Sequence, residues 1–201
     1  MTVGRFGKHL TVSAIGALVL IGAVPARALA QGDHSHGISA QQEQTPEQKA
    51  RTGALIKAVR EATERFQQPG AAEAEGYTLQ FGCVSGSDFG AMGMHFVNGG
   101  LVADGEIDLA HPEIVLYEPL PNGKLRLTGA DYLVIADAWN AKHTGPPQLM
   151  GQLFHLFDSP NRFGLPPFYT LHVWAWKDNP NGAFVNWNPN VSCEGFSGQD
   201  R

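Results

Sequence analysis

The sequence predicts an α+β domain: an N-terminal amphipathic helix packed on a curved, mainly antiparallel sheet or small barrel, with a long lid-like loop. Three observations carry that prediction. One stretch of helical periodicity ends at a Pro-Gly pair, the later segments alternate with the period of strands, and Gly, Asp, Ser, Pro and Asn clusters separate several of them. A helix followed by a run of strands gives segregated layers rather than parallel βαβ units.

Residues 1–30 read as a signal peptide. Arg5, Lys8 and His9 make a basic start, Leu10 to Val24 is mostly apolar, and Ala28-Leu29-Ala30 offers an A-x-A cleavage site. The apolar run is shorter than the ~20 residues that span a bilayer. The expected product is an exported chain, periplasmic or secreted, with no membrane association after cleavage. Loss of Arg5, Lys8 and Arg27 moves the net charge from −5 to about −8. No Lys/Arg run remains, which excludes an electrostatic grip on nucleic acid or anionic lipid. Residues 31–44 (QGDHSHGISAQQEQ) are polar and aperiodic, a disordered leader whose His34 and His36 sit in a solvated tail. A single domain is expected over 45–196, with 197–201 a frayed tail.

Thr45-Pro46-Glu47-Gln48 has the form of a helix start, with Thr as N-cap, Pro at the first helical position and Gln three residues after the cap. Leu55, Val59, Ala62 and Phe66 then recur on one stripe until Pro69-Gly70, and AAEAEG suits a short helical turn. Strands are expected at 77–83, 93–98, 113–118, 124–136 (bent at Gly129) and 168–177, with a hairpin turn at Pro121-Asn122-Gly123. Between them, residues 137–167 form a long connection too apolar for disorder. It is expected to fold over one sheet face as a lid, with a short helix near 148–157.

Cys83 and Cys193 are the two cysteines, and in an exported chain an even pair reads first as a disulfide. Two thiolate metal ligands are the rival reading, which fits poorly because neither cysteine belongs to a close pair.

Strand alternation selects the candidate site. His95 shares a face with Val97, Glu118 with Ile114 and Leu116, and His172 with Phe168, Thr170, Trp174 and Trp176. A carboxylate or imidazole among aliphatic and aromatic side chains is costly unless paired, neutral or metal-bound. Two imidazoles and one carboxylate make a common ligand set for Zn, Cu, Mn or Fe, with positions left open. Without metal the same groups suit acid–base work. For each residue a structural alternative stands beside these: a hydrogen-bonded core histidine for His95 and His172, and for Glu118 a carboxylate held by backbone amides or Arg126. His155, on the long loop, is a candidate additional ligand. Trp174 and Trp176 are expected either in the core or as a pocket wall for a small ligand. Asp131 falls on the longest strand without an assigned role. No GxSxG, P-loop or GxGxxG pattern is present, so serine-hydrolase and nucleotide-binding readings have no support.

The segments MGMHFVN, VLYEP, GQLFH, LHVWAW and NPNGAFVNWNPNVSC together resemble a family of exported bacterial proteins without an assigned function. The likeness runs from about Tyr77 to Cys193. It implies a shared fold, supports the Cys83–Cys193 bridge and implies no catalytic residues. Three functional classes follow: a small-molecule- or metal-binding domain, a metal-dependent or Glu/His acid–base enzyme (hydrolase, oxygenase, isomerase or lyase), and an interaction protein with no small-molecule site.

Overall fold

The computed structural model describes residues 44–198 apart from Ser87. The expected signal peptide, nearly all of the leader and the last three residues lie outside the described residues. The first helix, α1 (Pro46–Thr63), opens on the predicted capping box. The Gln48 N–H donates to Thr45 Oγ1 at 3.2 Å and the Thr45 N–H to Gln48 Oε1 at 2.7 Å, satisfying two donors that a helix start leaves unpaired. A 3₁₀ turn (Glu64–Gln67) and a short helix α2 (Pro69–Ala74) complete the N-terminal layer.

The strands are β1 (Thr78–Gly86), β2 (Gly90–Val97), β3 (Ile114–Pro119), β4 (Leu125–Ile135), β5 (Gln148–Leu149), β6 (Gln152–Leu153), β7 (His155–Phe157) and β8 (Phe168–Val173). Helices α3 (Gly99–Asp104) and α4 (Ala136–Asn140) follow β2 and β4. Six strands form one curled antiparallel sheet in the order β1-β2-β3-β4-β8-β7. The predicted α+β class and curved sheet are therefore correct. Leu55 and Val59 of α1 pack on Ala130, Tyr132, Leu171 and Val173 from one face of β4 and β8. Each buried aliphatic of this kind contributes about 1.5–3 kcal/mol. On the opposite face, Ile114, Leu116, Leu133 and Phe168 lie beneath Phe157, Phe163 and Leu165.

Three expectations need correction. Residues 148–157 form the β5–β6 hairpin and β7 rather than a helix. The long connection does not cover a single face: its Leu149 and Phe154 pack on the α1 side, while Phe157, Phe163 and Leu165 cover the other. The final strand stops at Val173, where the Ala175 N–H folds back to Val173 O at 2.8 Å and strand alternation ends. Gly129 does mark a bend. A Cβ there would meet Val173 O at 2.1 Å, so the close approach of β4 and β8 requires glycine.

Glu113, which immediately precedes β3, is 1 % exposed and accepts the Leu133 N–H at 3.0 Å. Burial pushes its pKa up to about 8. The folded state therefore holds this proton where the unfolded chain releases it. The resulting stability is fully present below about pH 4.3 and is lost as pH rises through 8, at up to about 1.4 kcal/mol per pH unit. Glu113→Gln is expected to remove that slope and to leave the variant more stable than the parent at pH 8–9. Paired urea titrations from pH 5 to 9 measure it; parallel curves for the two proteins would contradict the assignment.

Candidate metal centre

Three strands bring one ligand atom each from His95, Asp131 and His172 within 4.8 Å of one another, and all three residues are buried. Local backbone features place them. In β2, Gly93 at φ +87° lets its strand pass Tyr117 O, which a Cβ would meet at 2.5 Å. The Gly93 carbonyl then accepts a bond from His95 Nδ1 at 3.2 Å, which leaves Nε2 as the lone-pair donor. A backbone carbonyl holding the far nitrogen is the usual support of a metal-binding histidine. Asp131 of β4 and His172 of β8 are direct cross-strand partners, so their side chains rise side by side from one sheet face.

His172 carries the most informative anomaly. Both of its ring nitrogens are buried without a hydrogen-bond partner. Nδ1 stands 3.4 Å from Asp131 Oδ1 but is not aligned to bond with it. The pair is not an ion pair at neutral pH either, because burial drives the His172 pKa down to about 3, with a further push from His155. Burial, followed by the neighbouring His172, takes His95 down to about 4. Burial also raises Asp131, to about 6, against the opposing hydroxyl bond donated by Thr170. At pH 7 the cluster thus holds two neutral imidazoles and one carboxylate, the protonation states that metal ligation requires. Orphaned buried nitrogens ordinarily cost about 1–3 kcal/mol each, and a cation between these three groups would offset that cost.

Glu118, expected as the carboxylate of this set, is engaged elsewhere. It accepts from Lys177 Nζ at 2.7 and 2.9 Å and from the Ser192 N–H at 3.2 Å, and lies 3.6 Å from Arg126 Nη1. The structural alternative for this residue is the observed one. Alternation does put Glu118 on the face of Ile114 and Leu116, but register decides the contact. His95 pairs with Leu116, Asp131 pairs with Ile114, and Glu118 pairs with Arg126 beyond the register shift after Leu116. On β4, Arg126 stands five residues before Asp131, the partner of His172, which carries Glu118 roughly 16 Å along the sheet from His172. The signal that identifies Asp131 in its place is a lone carboxylate inside the apolar run DYLVI, in phase with Leu133.

His155 lies on β7 with an exposed ring, outside the three-residue cluster, and acts on His172 through space. Trp174 is buried 6.1 Å from His172, ring to ring, but belongs to the core around Cys83 and Cys193. Trp176 turns toward the helical layer and donates to Thr63 Oγ1 at 2.9 Å, since it lies past the end of β8. Neither tryptophan lines the cavity beside the cluster.

That cavity, about 30 Å³, is bounded by His95, Asp131, Thr170, His172 and Asn186 and by the phenylalanines Phe81, Phe157, Phe163 and Phe168. Phe81 adopts φ +64°, an uncommon conformation for a non-glycine residue, at the bulge between Gln80 and Cys83. The bulge re-aims this ring toward Phe163, 5.3 Å away centroid to centroid. The predicted disulfide joins Cys83 to Cys193, with Cα atoms 5.8 Å apart. No helix among the described residues is long and apolar enough to cross a membrane. Comparison of the chain with family models, curated proteins and solved structures found no match, so a functional reading rests on the chemistry of His95, Asp131 and His172.

Proposed function

We propose that this protein is an exported domain that binds a first-row divalent metal through His95, Asp131 and His172. The carrying observation is the buried His172 ring, whose two nitrogens have no protein partner beside two further donors in the correct protonation state. Donors on one tetrahedral ion, each at about 2.0–2.2 Å, stand about 3.3–3.6 Å apart, so closing the present separations of up to 4.8 Å by about 1.2–1.5 Å at most, shared between the side chains, brings the three together. A metal-free acid–base enzyme is less well supported. Such catalysts work best with a pKa near the operating pH, whereas burial holds both imidazoles far below it. The Cys83–Cys193 bridge supports export, because disulfides persist in oxidising compartments. The likeness of residues 77–193 to exported bacterial proteins points the same way.

The purified, disulfide-intact protein is expected to carry close to one equivalent of Zn, Fe, Mn or Cu, or to take one up after treatment with a chelator. Elemental analysis and thermal unfolding with each ion check this. Absence of metal, together with an unfolding temperature that none of the four ions moves, would refute the reading.

A further inference from the structure

Three protein donors leave at least one position on a four-coordinate ion unfilled, and the residues around the cluster restrict what can take it. The adjoining cavity has about 30 Å³, where a single water needs roughly 10–15 Å³. Its room therefore suits a ligand of two or three atoms. Most of its wall is phenylalanine and aliphatic side chain, which offers a ligand no hydrogen bond. Among its polar members, Thr170 is committed to Asp131. Asn186 differs. It is half-buried on the cavity wall, and its side-chain amide makes no hydrogen bond to any other described residue. Charge narrows the ligand further. A divalent ion with one carboxylate and two neutral imidazoles keeps one net positive charge, and among largely apolar side chains such a charge is best neutralised by an anion. The guanidinium of Arg162, over the Trp187 ring at 5.4 Å and bonded to Ser85 O, adds positive potential nearby.

Resting on the metal reading above, we propose that the open position binds a small monoanion of two or three atoms, held between the metal and a donated bond from the Asn186 amide. The phenylalanine wall sets the size limit and Asn186 sets the orientation.

The test uses the disulfide-intact protein loaded with Co(II), whose visible absorption reports its ligands, with azide as the probe. Azide is expected to shift the spectrum saturably at one equivalent, while imidazole, which is too large for the cavity, leaves it unchanged. Asn186→Ala is expected to bind the same amount of cobalt but to weaken azide about 10-fold or more, as loss of a bond to a charged group does. Phe163→Ala is expected to admit imidazole. Because the Asn186 amide bonds to no other described residue, its removal is expected to leave folding intact, and an unchanged thermal transition verifies that. A cobalt spectrum that azide does not move, or an Asn186→Ala protein that binds azide as tightly as the parent, overturns the proposal while leaving the metal centre standing. A chain that takes up neither cobalt nor any of Zn, Fe, Mn and Cu overturns both.

Discussion

Replacing His172 by leucine is expected to raise the stability of the metal-free protein and to abolish its stabilisation by metal. The two effects have one cause. In the metal-free fold both ring nitrogens are buried without partners, a cost of about 1–3 kcal/mol for each such group. Leucine removes it in surroundings that already include Ile114, Leu133 and Phe168. With metal at 1,000 times its Kd, the parent gains about 4 kcal/mol by mass action, and a variant lacking one of three ligands loses most of that. Asp131→Asn keeps the shape of the side chain but not its charge, and is also expected to lose the metal-dependent gain. Glu118→Gln is the discriminating control. It is expected to lower stability by about 1–3 kcal/mol with or without metal, because Lys177 loses a charged partner. Urea midpoints in chelator and in excess Zn resolve the three cases. If the His172→Leu protein keeps the metal-induced shift, the assigned ligands are wrong.

The second large effect is expected from the disulfide. Cys83 and Cys193 are separated by 110 positions, and closing a loop of about 100 residues restricts the unfolded chain by nearly 5 kcal/mol in the entropy model. The bridge also pins the C-terminal segment, whose Asn188 exchanges backbone bonds with Ala91 of β2 at 3.1 and 3.2 Å. A Cys83→Ser/Cys193→Ser protein should therefore be less stable than the oxidised parent by about 2–5 kcal/mol in urea unfolding. A loss below about 1 kcal/mol would show that the segment is held by packing around Val191 and Trp174 instead.

Much of the fold was legible because its signals are local. The Thr45 cap, the Leu55/Val59 stripe and the turn at Pro121-Asn122-Gly123 each depend on residues within a few positions of one another. The hairpin confirms its turn through the Leu120 N–H, which donates to Lys124 O at 2.8 Å. The sequence of residues 148–157 suggests a helix only because short apolar runs lack a distinguishing period. Their strand form comes from outside the segment, through pairing of β7 with β8.

For the site, residue types and strand alternation indicate the kinds of donor and two of their positions. His95 and His172 stand out as titratable residues in phase with apolar neighbours, and an even pair of cysteines after an expected signal peptide indicates the bridge. Which carboxylate joins the histidines was decided by the tertiary structure alone. Alternation assigns a face, but it carries no information on how far one strand is displaced along the next. The register shift between β3 and β4 and the Lys177 ammonium remove Glu118 from the cluster, and cross-strand pairing with His172 brings Asp131 in. The cavity wall follows the same rule. Phe81, Phe157, Phe163 and Asn186 come from separate strands and loops, and only the curled sheet assembles them around the two buried imidazoles.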